Sequence, residues 1–279
     1  VLAAGAFGSP QILLLSGVGP ADHLREVGVP VHVDLPGVGM NLQDHPYCLG
    51  IWDLPAGGSL ADAEHPKYLL EWLFKKSGPL TSTVAEAFAF VRTRPGLPAP
   101  DVQFHFAPVY FADHGQETYD GHAMSLGPVL VTPKSRGRVW LASADPFAKP
   151  RILTNSLTEP EDVASMVAGM KLAREIIAQF GPVAGRELYP GSGVVTDDDI
   201  EADLRRRMEL LYHPVGTCRI GSDELAVVDP LLRVHGVEGL RVADASVMPV
   251  IPGGNTNAPA IMVGEKAADL IRLPVPAGV

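Results

Sequence analysis

Glycine and proline punctuate this chain from end to end. Its 279 residues include 29 glycines and 26 prolines, spread rather than clustered, so they mark turns between short elements and not a disordered tract. That punctuation caps element length. The apolar runs stay well short of the roughly 18 residues a membrane helix needs, and two stretches stand out as uninterrupted amphipathic helices. In TEPEDVASMVAGMKLAREIIAQFG, Thr158 with Glu161 reads as a capping box and Pro160 fits the first turn. Val163, Met166, Val167, Met170 and Ile177 form one apolar stripe, and Gly181 reads as the stop. TDDDIEADLRRRMELL repeats the plan, with Thr196 and Asp199 as the box, acids early, arginines late, and Ile200, Leu204, Met208 and Leu211 inward.

Around these helices the elements are short and mixed. Ser9-Pro10 before QILLLSG reads as an N-cap with proline at the first helical position and Gly17 as the stop. PADHLREVG gives a second short helix. HPKYLLEWLFKKSG gives a third, with Tyr68, Leu69, Trp72 and Leu73 at helical spacing. The middle is strand-like: VAEAFAFVR alternates, with Glu86, Phe88 and Phe90 on one side and alanines with Val91 on the other. DVQFHFAPVYF, MSLGPVLVTP and GRVWLAS follow in the same character. A face of alanines predicts that something large packs closely against that first strand. Past Tyr212 come loops, a strand in GLRVADAS and a last helix in APAIMVGEKAADLI.

Composition removes several function classes. With 46% hydrophobic and 19% charged residues this is a globular composition, and the net charge of −10 argues against nucleic acid, whose phosphates call for basic residues. No basic region followed by an apolar run marks a secretory leader. Cys48 and Cys218 form no C-x-x-C, which excludes a disulfide scaffold and a cysteine-only zinc site and fits a reducing compartment. A cytoplasmic location follows, with peripheral attachment to a membrane left open. No histidine spacing suits a metal, and P-loop, H-E-x-x-H, EF-hand and G-x-S-x-G motifs are absent.

Three stretches can carry chemistry. In HPVGTCRIG, Pro214 holds His213 in an extended or turn backbone. His213 then reads either as a histidine satisfied by backbone groups or as a general base. Its neighbour Cys218 lacks the surroundings of a cysteine hydrolase, and the remaining histidines read as surface or loop residues. In GLRVADASVMPVIPGGNTNAPAIMVGEKAADLI an apolar strand ends at Asp244 and a helix begins near Ala258, with Asn257 suited to cap it. Its free amides and positive dipole end follow Asn255, Thr256 and Asn257, a place to hold developing negative charge or simply a capped helix. Finally, LAAGAFGSP is a glycine–alanine turn feeding a helix, a form used where backbone approaches a cofactor, though it is not G-x-G-x-x-G.

Together these stretches resemble the C-terminal half of the glucose–methanol–choline (GMC) oxidoreductases, in particular their choline-dehydrogenase-like alcohol dehydrogenases. GAFGSPQILLLSGVGP resembles the family's second signature. GVGMNLQDHP, PKSRGRVWLASADP, HPVGTCRIG and the stretch from VVDPLLRVHG to EKAADLI match further blocks in order. NSL at 155–157 departs from the pattern, which has an aromatic residue where Ser156 stands. The resemblance implies an α/β fold, α+β in the substrate lobe, lacking the N-terminal Rossmann-like nucleotide-binding unit. It implies a flavin lobe from residues 1–45 and 213–279 and a substrate lobe, an antiparallel sheet with helices, from 46–212. The chain then reads as the back portion of a longer enzyme, binding little FAD by itself and needing an N-terminal FAD-binding region as partner. A flavin-free substrate-binding module is the alternative.

The resemblance further implies FAD as cofactor and oxidation of an alcohol, choline-like or another primary alcohol, to an aldehyde with hydride passing to flavin N5. It makes His213 the base and Asn255 the second group on the alcohol oxygen. It sets Gly5, Ala6, Asp244, Ala245, Thr256 and Asn257 against the flavin. Glu86 and Phe88 become candidates for contact with a cationic substrate, a satisfied acid at Glu86 being the other reading. The electron acceptor stays open.

Overall fold

The computed structural model describes residues 1–272. Its helices are α1 (Gly5–Leu15), α2 (Ala21–Glu26), α3 (Pro66–Lys75), α4 (Pro160–Ala178), α5 (Asp197–Arg207) and α6 (Asn257–Arg272). The chain divides into two compact units. One comprises Val1–His45, Pro133–Thr158 and the chain from Tyr212 onward; the other comprises Pro46–Thr132 and Glu159–Leu211. Residues 133–158 thus go with the first unit, not with 46–132 as the expected lobe boundaries had them.

In the first unit, β1 (Val18–Gly19) pairs in parallel with β2 (Val33–Asp34). The core gathers Leu13 and Leu14 of α1, Leu24 of α2, and valines from the loops of the last seventy-odd residues, including Val215, Val228 and Val242. Each of these leucines is at most 1% exposed, worth about 1.5–3 kcal/mol of burial. Helix α1 starts at Gly5, earlier than the Ser9-Pro10 cap that the sequence suggests. Ser9 is instead buried and donates its hydroxyl to Asp244 Oδ2 at 2.5 Å. Pro10 sits inside the helix and has no N–H for the carbonyl of Ala6, and the Thr217 hydroxyl fills that place by donating to it at 2.6 Å. Nor is GLRVADAS a strand. It makes two isolated bridges, Leu2 with Val242 and Arg233 with Arg241, and then a 3-10 turn over Ala245–Val247.

The second unit is built on an antiparallel sheet. Its strands are β3 (Pro46–Tyr47), β4 (Gly50–Asp53), β5 (Ala87–Val91), β6 (Val102–Ala107) and β7 (Ala123–Leu130). Back in the first unit, β8 (Arg138–Trp140) and β9 (Arg151–Leu153) make a separate hairpin-like pair. β10 (Glu187–Tyr189) and β11 (Glu209–Leu210) complete the large sheet in the order β10-β4-β7-β3-β11, with β6 also on β7 and β5 on β6. Ala173 and Ile177 of α4 bury against Trp52, Val102, Phe104 and Met124 of that sheet.

Both long helices form, with corrected ends. The box of Thr196 and Asp199 caps α5 as the sequence indicates, and Ile200 and Leu204 are buried. The helix stops at Arg207, so Met208 and Leu211 lie beyond it: Met208 turns extended and Glu209–Leu210 pair with β3. Thr158 does not cap α4; its hydroxyl bonds the carbonyl of Asn155, and Glu159 takes the cap position without a side-chain capping bond. Helix α3 forms but buries none of its residues. The expected close packing against the alanine face of β5 is also absent, since Ala87 through Phe90 are exposed. Among the described residues no helix is long and apolar enough to cross a membrane.

Candidate active site

Three loops of the first unit are tied together by one buried glutamine. Gln43, 2% exposed, exchanges both backbone bonds with Val215 at 3.1 and 2.9 Å. Its side chain donates to the carbonyl of Pro249 at 3.2 Å and accepts from the amide of Ile251 at 3.2 Å. The 41–45 loop, the HPVGTC loop and the loop before α6 are therefore fixed against one another. Gly39 closes the base of this knot. Its φ is +82°, its amide donates to Thr217 O, its carbonyl accepts from Val139, and a Cβ there would lie 2.0 Å from the Val139 carbonyl oxygen.

This knot brings His213 and Asn255 together: Asn255 Nδ2 lies 3.4 Å from His213 Nε2. The other face of His213 meets a residue that the sequence reading passed over. His45, wholly buried, puts its Nδ1 2.9 Å from His213 Nδ1, the two rings nearly perpendicular with centroids 5.1 Å apart. Its Nε2 lies 3.1 Å from the carbonyl oxygen of Pro252. His45 was expected on the surface or in a loop with the other histidines. Its one sequence signal was a His-Pro pair like that of His213, set inside a glycine-rich block.

Asp44 holds both histidine backbones with a single oxygen. Oδ1 accepts from the amide of His45 at 2.7 Å and from that of His213 at 2.9 Å. Burial outweighs those two bonds and raises its carboxyl from the usual 3.8 to about 6. The folded protein thus holds this proton more tightly than the unfolded chain. The resulting stabilisation is complete below about pH 4 and is lost as pH rises through 6. Asp44→Asn keeps an acceptor oxygen and removes the charge. It should raise the melting temperature above pH 6 and leave it unchanged near pH 4, as followed by calorimetry across that range. A variant that loses stability equally at both pH values would contradict this account.

The residues expected against a flavin fall in two groups. Asp244 spends both oxygens inside the protein: Oδ2 accepts from Gly5 N at 3.0 Å and from Ser9, and Oδ1 from Ser246 N at 2.7 Å. It pins the start of α1 to the 3-10 turn at Ala245, against which α6 also packs. Ala6 is buried, whereas Gly5 is partly exposed and a Cβ built on it meets nothing within 4 Å. At α6 the first helical carbonyl is that of Thr256, which accepts from Ala260 at 2.9 Å, so Thr256 rather than Asn257 holds the cap position. Asn257 and Ala258 are exposed, and Gly253 before them faces open space. An approachable backbone turn beside a helix start with exposed amides suits a planar ring that gathers negative charge.

Glu86 and Phe88 belong to the second unit and are exposed. Glu86 accepts from the Ser82 hydroxyl at 2.6 Å, and Phe88 stands edge-on to Phe90. That unit also has a cavity of about 370 Å³ lined by Tyr47, His114, Glu117, Tyr189, Arg207 and Glu209 among others. Its charges are engaged with one another, Glu209 with His114 and Tyr47, and Arg207 with Asp203. Cys218 is fully buried in the first unit, and burial raises its thiol pKa, opposing any role as a nucleophile.

With this geometry in view, comparison with known proteins is informative. Two family models described as GMC oxidoreductase match, one over residues 1–47 and one over 133–264. An alcohol dehydrogenase (acceptor) of Pseudomonas putida is 45% identical over 97% of this chain and 50% of its own length. An oxygen-dependent choline dehydrogenase of Rhizobium rhizogenes is 44% identical over 97% of this chain and 51% of its own. The chain thus spans about half the length of the curated relatives it matches. Among solved structures, a variant formate oxidase of Aspergillus oryzae superposes with a TM-score of 0.90 at 29% identity, covering 98% of this chain and 53% of that one. Pyridoxine 4-oxidase superposes at 0.83 and 27% identity over 96% of this chain and 50% of its own.

Proposed function

Because the chain belongs to the GMC oxidoreductase family, we propose that it forms the catalytic part of an FAD-dependent enzyme oxidising a primary alcohol to an aldehyde. The carrying observation is the approach of His213 Nε2 and Asn255 Nδ2 to 3.4 Å on one rigid knot of loops. When bound, FAD supplies the hydride acceptor. The chain's own residues supply the rest.

Oxidising an alcohol requires that its O–H proton leave. Neutral imidazole is suited to take it, its ordinary pKa lying near operating pH. Asn255 donates a hydrogen bond to the same oxygen, so the charge developing there is met by a donor already in place. Gly5, Ala245 and the first turn of α6, from Thr256 through Asn257, are the proposed backbone contacts for the cofactor. Asp244 organises two of these turns. Residues 1–45 and those after Tyr212 are the proposed source of the flavin-binding contacts. In the second unit the exposed Glu86 carboxylate, just before β5, with Phe88 two residues on, is the proposed contact for a cationic alcohol of the choline type. The names of the relatives support an alcohol substrate, since one is called an alcohol dehydrogenase and another a choline dehydrogenase.

The test is anaerobic mixing of the flavin-loaded longer enzyme, of which this chain is the proposed catalytic part, with a panel of primary alcohols, choline among them. Bleaching of the flavin's visible absorption by at least one alcohol, with the matching aldehyde formed in equal amount, is the expected result. A flavin that no alcohol bleaches would end this reading.

A further inference from the structure

The contact between the two histidines carries more than packing, because the protons along it can be assigned by donor–acceptor parity. The carbonyl oxygen of Pro252 only accepts, and it already receives the Gly254 amide at 2.8 Å. His45 Nε2, 3.1 Å away, must therefore carry the proton of that contact. In a neutral ring the other nitrogen is then an acceptor, so His45 Nδ1 presents a lone pair. It lies 2.9 Å from His213 Nδ1, and the proton between them belongs to His213. With both rings neutral, His213 is an Nδ1–H imidazole and its Nε2, the nitrogen beside Asn255, is the basic one.

We infer that His45 is a positioning residue that locks His213 in the tautomer able to accept a proton at Nε2. The inference rests on the reading of His213 as the base. A free neutral histidine side chain interchanges between its tautomers and favours the Nε2–H form, which would aim an N–H at the alcohol instead of a lone pair. The lock runs from a backbone carbonyl through a wholly buried ring, and Asp44 fixes the spacing of both backbones by accepting their amides on one oxygen. When Nε2 takes the alcohol proton, the O–H bond breaks with its electron pair left on oxygen. The Nδ1–H of the resulting imidazolium stays donated to His45 Nδ1. A neutral imidazole here fills the orienting place that a carboxylate holds in serine-protease triads.

The experiment uses the flavin-loaded protein with nitrogen-15-labelled histidine. Long-range proton–nitrogen spectra of the unmodified protein should show His213 protonated at Nδ1 and bare at Nε2; the reverse pattern overturns the inference without need of any variant. In H45L the Nε2–H form should become substantial, and alcohol-dependent flavin reduction should slow by roughly 10- to 100-fold at saturating substrate, part of the 10²–10⁴ that a positioned base supplies. H45N offers a side-chain carbonyl that can accept from His213 Nδ1, and it should restore both the tautomer and most of the rate. An H45L protein that keeps the Nδ1–H form at an unchanged rate defeats the lock. Failure of the underlying reading looks different: His213→Ala would then reduce its flavin normally, whatever the spectra of His213 in the unmodified protein.

Discussion

Replacing His213 with Ala should slow alcohol-dependent flavin reduction by about 10²–10⁴-fold, the range in which a positioned general base contributes. The size follows from where the ring stands. One nitrogen is engaged with the buried His45 and the other lies beside Asn255, so removing the ring takes away the nitrogen that faces Asn255. The loss should fall on the rate at saturating alcohol more than on apparent affinity, because the proton transfer is made in the transition state. The fold should survive, since His213 is only partly buried and its backbone bond to Asp44 does not need the ring. Rapid-mixing kinetics with the flavin as reporter gives the rate; a change smaller than tenfold would remove His213 from the mechanism.

Gly39→Ala should cost about 2–5 kcal/mol of stability. Two penalties add at this position. The backbone sits at φ +82°, which costs an alanine roughly 1–2 kcal/mol. The added carbon would also stand 2.0 Å from a backbone carbonyl oxygen that cannot swing away, because the same stretch donates the Val139 amide to Gly39 at 2.7 Å. Overpacking of this kind adds about 1–3 kcal/mol. Gly39 also donates to Thr217, within the loop that follows His213, so relief of the clash must displace that loop. Urea unfolding at unchanged slope, read as a lower midpoint, measures the loss. A midpoint within error of the parent would show that the knot is looser than its hydrogen bonds indicate.

How much of this was legible in the sequence depends on the range of the forces involved. Helix α5 could be read almost to the residue at its start, because its cap is a local exchange between Thr196 and Asp199. Its end could not, because Met208 leaves the helix for a distant reason: Glu209–Leu210 are claimed by β3, and Arg207 donates to the carbonyl of Leu49. Thr158 followed the same logic in reverse. A good local cap was outcompeted by Asn155 in its own loop and by Ser135, 23 residues earlier and beyond the β8–β9 pair. Ser9 resembled a cap and proved to be a ligand of Asp244, far along the chain. The alternating pattern of β5 was right about strand and wrong about cover.

The site divides along similar lines. His213, held by Pro214, and Asn255, just before a helix start, could be singled out from the residues with bland readings beside them; their roles came from family resemblance, and the fold sets them within reach of each other. His45 was missed because D-H-P inside a glycine-rich block has no periodicity to betray burial. Its ring meets groups far along the chain, His213 and the carbonyl of Pro252, and Gln43 ties the loops that carry them through residues 215, 249 and 251. No local pattern announces a glutamine that ties three loops.

The central claim is that His213 accepts the alcohol proton at Nε2, and single-turnover flavin reduction measured against pH tests it most directly. The account predicts that the unmodified protein rises with pH to a plateau as the base loses its proton. H213A should be slower throughout and keep climbing with pH, as solvent base and ionised alcohol take over the missing role. Two profiles of the same shape, reaching the same plateau, would contradict it.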